Sequence, residues 1–113
     1  MIARTWHGMV PLKMRDAFEI YEYETGVKDT LAIDGNCGAF LKIVEQDEYA
    51  HFFFCTKWDS MASMIAYAGN NPTIAVTYSE DERYGLISDP IVIIQEVVDD
   101  GDPFVVGLSL IHI

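Results

Sequence analysis

In the opening MIARTWHG, Ile2, Arg4 and Trp6 alternate with Ala3, Thr5 and His7, a period of two that predicts a first strand. The period then lengthens. From Leu12 to about Thr25, Met14, Ala17, Phe18, Tyr21 and Thr25 fall on one helical stripe, while Lys13, Glu19 and Glu22 project elsewhere. Pro11 is tolerated at or just before a first helical turn, and Gly26 supplies a C-terminal stop. The chain therefore begins with a strand followed by an amphipathic helix.

After the turn signal DGNCG, Ala39 to Glu45 and Ala50 to Trp58 read as a hairpin around QDE. With Asp47-Glu48 as a two-residue loop, residues whose numbers sum to about 95 face one another. One face then carries Cys37, Ala39, Leu41 and Ile43 with Phe52, Phe54 and Trp58; the other carries Phe40, Lys42 and Val44 with His51, Phe53, Cys55 and Lys57. Both faces are too apolar for open water. This register puts Cys37 and Cys55 on opposite faces and excludes a bridge between them, whereas an odd-length loop would reverse that result.

Asp59 or Ser60 can cap a second helix, whose Met61, Met64, Ile65 and Ala68 form a stripe that ends at Gly69 and NNP. A loop-rich stretch, TYSEDERYGLISDP, leads to the strand IVIIQEVV. The order βαββαβ predicts an α+β, ferredoxin-like fold: an antiparallel four-stranded sheet with both helices on one face. Phe40, Phe53 and IVII cannot stay wet as one patch on the other face, so a second subunit is expected to cover them, making a homodimer.

Composition narrows the partners. With 113 residues, half of them hydrophobic, one domain can close a core without staples. Seven basic against eighteen acidic residues give a net charge of -11, which argues against nucleic acid, because phosphate contacts need a basic surface. No apolar run approaches the roughly 18 residues of a membrane span, and Met1 leads straight into alternating residues without a basic n-region, so no membrane partner is expected and the protein reads as soluble and cytoplasmic. Residues 1-98 are read as the domain and 99-113 as a tail. Leu108 to Ile113, LSLIHI, matches the translation of a transposon-end adapter sequence and is set aside from all functional reading.

The strand, W-D-S junction and helix in HFFFCTKWDSMASMIAYAG, with His7-Gly8 and Asn36 to Gly38 in support, resemble the antibiotic biosynthesis monooxygenase family, a set of dimeric α+β barrels. KWDS with AYAG is the firmest part, and the resemblance runs from Met1 to about Val98. It implies a pocket between sheet and helices, built from the first strand, third strand and second helix. Some relatives oxygenate aromatic polyketides without metal or flavin, and others degrade haem. In the haem-degrading relatives a first-strand Asn, a late second-helix Trp and a downstream His are needed; His7, Tyr67 and Thr77 stand at the matching positions. The missing axial histidine argues against haem degradation.

Each candidate site residue has an ordinary alternative. Trp58 closes the third strand, where it can stack on a flat substrate or serve as a core aromatic with a partner for its indole N–H. Tyr67 falls at the edge of the Met64 and Ala68 stripe, which suits a pocket rim or a half-exposed tyrosine. His7 and His51 are the candidate catalytic bases, since imidazole titrates near neutrality; each can equally be a hydrogen-bonded strand histidine. His7 is preferred because it matches a family pocket position. Tyr78, Glu80, Asp81 and Tyr84 sit in a long loop that can act as a lid or, for the tyrosines, as an anchor. No metal or cofactor is expected: HExxH, Cys/His clusters, GxGxxG and P-loops are all missing from the sequence, and GNCG reads as a turn.

Two functions follow, with haem degradation a less supported third. The first is a cofactor-independent monooxygenase that oxidises a small electron-rich aromatic to a quinone, with the ring held by Trp58, Tyr67 and Tyr78 and a proton removed by His7 or His51. The alternative is a non-catalytic dimeric module that binds a small aromatic or apolar molecule or serves in stress.

Overall fold

The central pairing joins β1 (Ile2–Pro11) to β3 (Tyr49–Trp58), antiparallel over ten residues from Ile2 opposite Trp58 to Pro11 opposite Tyr49. A computed structural model describes residues 1–105 of the chain; the adapter-like Leu108 to Ile113 and most of the expected tail lie outside the described residues. β2 (Asn36–Gln46) flanks β3, while β4 (Ile87–Ser88) and β5 (Ile93–Glu96) share the other edge of β1. The sheet is antiparallel and the fold is the expected α+β arrangement, with five strands among the described residues in place of the expected four. The extra strand has a cause elsewhere in the chain. Ile91 bridges Ile74 and Val92 N donates to the Thr73 carbonyl, so the last strand joins β1 only from Ile93, opposite Thr5; Ile87 and Ser88 pair separately with Met9 and Gly8.

The β2–β3 hairpin keeps the sum of 95 from Gln46 opposite Tyr49 to Gly38 opposite Lys57, then slips by one residue at Cys37, so that Asn36 meets Trp58. Asp47 and Glu48 both take positive φ, 53° and 67°, the twist that a two-residue hairpin loop requires. Both cysteines are free.

The first helix runs further than Gly26 suggested. After α1 (Arg15–Glu22), a π-helical turn over Tyr23–Val27 passes directly into α2 (Lys28–Leu31). Gly26 acts here through its lack of a side chain. A Cβ there would collide with the Glu22 carboxyl and crowd the Phe54 ring, and Thr30 Oγ1 donates to the Gly26 carbonyl at 2.9 Å. The second helix, α3 (Met61–Ala68), starts as expected: Ser60 Oγ accepts from Ser63 N at 3.1 Å, Ser63 Oγ donates to Asp59 Oδ1 at 2.7 Å, and Gly69 ends the helix at φ 85°. Among the described residues no helix is long and apolar enough to cross a membrane.

One face of the sheet forms the core. Val10, Phe52 and Phe54 meet Phe18 and Val27 of the first helical stretch, with Phe18 edge-on to Phe52 at 4.8 Å. Trp6 lies on this face and folds back along its own strand over Gly8, while its Nε1 donates to Ser88 Oγ at 2.8 Å. The opposite face is partly covered by the chain itself. Lys57 Nζ donates to the Asp99 carbonyl at 3.0 Å, and Phe104 lies 6.0 Å from Lys42 Nζ beside Val44 and Phe53.

Gly8 is therefore the seat of the Trp6 indole, since a Cβ at Gly8 would stand 2.6 Å from Trp6 Cη2. Gly8→Ala should destabilise the fold by about 1–3 kcal/mol through overpacking, read as a lower urea midpoint with an unchanged slope. An unaltered midpoint would show that the indole is not seated there.

Candidate active site

Alternation along β1 sends Arg4, Trp6, Gly8 and Val10 to the helix-covered face and Thr5, His7 and Met9 to the other. On the covered face, Arg4, Trp6, Glu22, Phe54, Tyr67 and Tyr78 enclose an inner cavity, completed by residues of the loop after α3. It offers about 20 Å³, room for one water molecule. Tyr78, Asp81, Leu86 and Ser88 line both this cavity and an outer cleft of about 340 Å³, which Thr77, Ser79 and Glu82 complete. The two spaces share the loop for which the sequence left a lid and an anchor both open.

Arg4 is only 5% exposed. Its Nε donates to the Pro72 carbonyl at 3.0 Å and its Nη2 to the Ile74 carbonyl at 2.7 Å, while the guanidinium carbon lies 5.8 Å from the centre of the Tyr67 ring. Burial lowers its pKa, opposed by the nearby Tyr67 and Tyr78. Glu22 is 7% exposed, and its carboxyl is pushed up to about 7, first by burial and then by the charge of Asp81. Asp81 is held by the loop itself: its Oδ2 accepts from Tyr78 N at 3.0 Å. Burial also raises the Tyr67 and Tyr78 hydroxyls, which keeps both as proton donors at neutral pH.

The residues singled out in the sequence divide between the two faces. Tyr67 and Tyr78 line the cavity. Trp58 stands behind them, fully buried, with Nε1 donating to Thr56 Oγ1 at 2.8 Å and its ring nearly parallel to Tyr67 at 6.0 Å. Tyr78 Oη donates to Asp29 Oδ2 at 3.2 Å, and Tyr84 packs on Phe18 and Tyr21, so both loop tyrosines also anchor the loop to the first helix. His7 and His51 come together on the other side of the sheet. His7 Nδ1 lies 2.8 Å from Asp89 Oδ2, and its Nε2 lies 3.0 Å from His51 Nδ1. With Asp89 accepting from Nδ1–H of His7, the neutral network has His51 Nδ1–H donating to His7 Nε2. No side chain of this pair borders the inner cavity.

Glu22 and Arg4 were missed as site residues. Glu22 reads as an outward acid, yet it lies four residues after Phe18, so the i,i+4 spacing already put it beside the buried stripe. The π-helical turn and the bare Cα of Gly26 then leave space for its carboxyl. Arg4 carried the same kind of signal: it shares its strand face with Trp6. Among the described residues no group of three or more His, Cys, Asp or Glu side chains is arranged to hold a metal ion.

The Glu22 shift makes stability depend on pH. The folded state keeps the Glu22 proton up to about pH 7, whereas the unfolded chain releases it near the ordinary value of 4.5, so stability is fully present below about 4.5 and is lost as pH rises to 7. At roughly 1.4 kcal/mol per unit, the loss is on the order of 3 kcal/mol. Glu22→Gln should therefore stabilise the protein at pH 8 relative to wild type and lose that advantage towards pH 4.5, measured by urea unfolding. A constant difference between the two proteins across that range would contradict the assignment.

Neither a protein-family model nor a curated protein matches the chain. Its structure is similar to the crystal structure of a candidate antibiotic biosynthesis monooxygenase from Deinococcus radiodurans, with a TM-score of 0.61 and 13% identity, covering 88% of this chain and 94% of that one. At that identity the likeness shows the fold alone: an antiparallel sheet with helices in an α+β arrangement.

Proposed function

We propose that this protein is a cofactor-independent monooxygenase acting on a small electron-rich aromatic, of the phenol or anthrone type, to give the quinone. The observation that carries the reading is the Glu22 carboxyl, held near neutrality inside a cavity that shares Tyr78, Asp81, Leu86 and Ser88 with a ring-sized cleft. A base works best with a pKa near the operating pH, and Glu22 meets that condition where it can face a substrate. The similar fold of the Deinococcus protein supports the same direction.

In this scheme the aromatic body occupies the outer cleft and turns its acidic hydroxyl or methylene towards Glu22. The carboxylate takes the proton, and the substrate anion passes one electron to O2. The resulting radical and superoxide combine, forming a C–O bond, and protonated Glu22 returns its proton to the peroxide. Loss of the second hydrogen from the same carbon with cleavage of the O–O bond leaves C=O and water, so substrate plus O2 becomes quinone plus H2O. The protein contributes orientation, exclusion of water and placement of one proton. Tyr78 borders the ring, while Tyr67, with Trp58 stacked behind it, lines the inner cavity that receives the reacting group. His7 and His51, bonded to each other and to Asp89 across the sheet, are spared that role.

The same reading includes a homodimer through the second sheet face. Ile93 is 63% exposed there, and Met9, Phe40, Val44 and Phe53 are only partly covered. Light scattering should give about twice the 12.7 kDa of one chain, and Phe53→Asp should shift it to the monomer; a monomeric wild type would exclude the dimer.

Oxygen-electrode assays without added metal or flavin, across anthrones, naphthols and hydroquinones, test the activity. Glu22→Gln should lower substrate-dependent uptake by about 10²–10⁴-fold while staying folded, and His7→Ala and His51→Ala should retain it. Uptake at the buffer rate for every compound would leave the binding-module reading instead. Uptake that disappears with His51→Ala and survives Glu22→Gln would move the base to the other face.

A further inference from the structure

We infer that Arg4 is the anion-recognition residue of the inner cavity, and that the site selects compounds with a single ionisable oxygen and holds them as the oxyanion. The inference rests on the proposed use of this cavity for substrate and names the chemistry that substrate must carry.

The protein is strongly acidic, with eighteen acids for seven bases, and Arg15, Lys57 and Arg83 each have a carboxylate partner. Arg4 is the buried arginine of the sheet, and among the described residues it forms no ion pair. Its two hydrogen bonds go to the Pro72 and Ile74 carbonyls, which fix the guanidinium in place without neutralising it. A guanidinium has five N–H groups, so donors remain, including those of Nη1, on a side chain that lines the cavity. A buried charge is costly unless something pairs with it. An anion entering the cavity supplies that pairing.

The dimensions and neighbours narrow the anion. About 20 Å³ admits one oxygen atom and leaves the rest of a ligand in the outer cleft, which favours a phenolate or enolate over a carboxylate or phosphate. Tyr67 faces the same space with a hydroxyl that can donate. Two acids, Glu22 and Asp81, also border it. Glu22 becomes neutral when it accepts the ligand's proton, so it does not oppose the anion it has made. Asp81 is turned to the Tyr78 backbone N–H.

The test uses 4-nitrophenol, too electron-poor to be oxidised in this way, and its uncharged methyl ether, 4-nitroanisole. Both are titrated at mildly alkaline pH into full-length Glu22→Gln protein, in which only the ligand can ionise within the pair. The phenolate should bind at least about tenfold more tightly than the ether, and adding Arg4→Met should erase the preference while circular dichroism shows a folded chain. Equal binding of the two ligands, no saturable binding of either, or a preference that survives in a folded Arg4→Met protein would overturn the inference. If Arg4→Met does not fold, equal binding of the two ligands to Glu22→Gln still overturns the inference. A phenolate preference without oxygen uptake by wild type would keep the anion site and remove the oxygenase; uptake without the preference would do the reverse.

Discussion

A slip of one residue between β1 and β3 would exchange the two faces of one strand relative to the other, because side chains alternate with a period of two. The ten paired positions from Ile2–Trp58 to Pro11–Tyr49 prevent that slip and so decide everything downstream. They put Arg4 and Trp6 beneath the helices with Phe52 and Phe54, and His7 beside Phe53 on the far side. The register is reinforced from the other edge of β3, where the tight Asp47-Glu48 turn permits only one alignment with β2. The cavity exists because this face, and not the other, receives the helical layer.

Within the cavity the governing term is desolvation. Arg4 and Glu22 carry opposite formal charges, yet each is shifted first by its own burial and neither is bound to the other. An arginine and a glutamate that formed a tight pair would both be inert as partners for a ligand. Held apart across a small space, they leave one group able to take a proton near neutrality and one able to meet a negative charge. Gly26 and the π-helical turn matter to this arrangement because they open the wall where the Glu22 carboxyl rests.

The far face follows a different logic. Its His7, His51 and Asp89 satisfy one another through short hydrogen bonds, which lets polar groups sit among Met9, Phe53 and Val44 without water on every side. Lys57 is buried there by the chain segment around Asp99, which accepts its proton donors through a carbonyl. This segment covers only part of the surface and leaves Ile93 exposed.

Much of the fold was legible in the chain because the relevant forces are local. Alternation in MIARTWHG, the sum of 95 across the hairpin, the Ser60 cap and the Gly69 stop all depend on residues within a few positions or on one strand partner. The pocket tyrosines were legible for a similar reason: Tyr67 lies at the edge of a readable helical stripe. The late start of the last strand at Ile93 and the passage of the helix through Gly26 were less so, since each depends on what packs there from elsewhere in the chain. By itself the sequence determined the element order, the hairpin register and the two opposed sets of side chains on the sheet. Only the tertiary structure decided which set meets the helices, and with it that Glu22 and Arg4, rather than His7 and His51, border the cavity. Both sets are apolar, so alternation cannot rank them, and Glu22 is tuned by burial under the folded chain together with the charge of Asp81, far away in sequence.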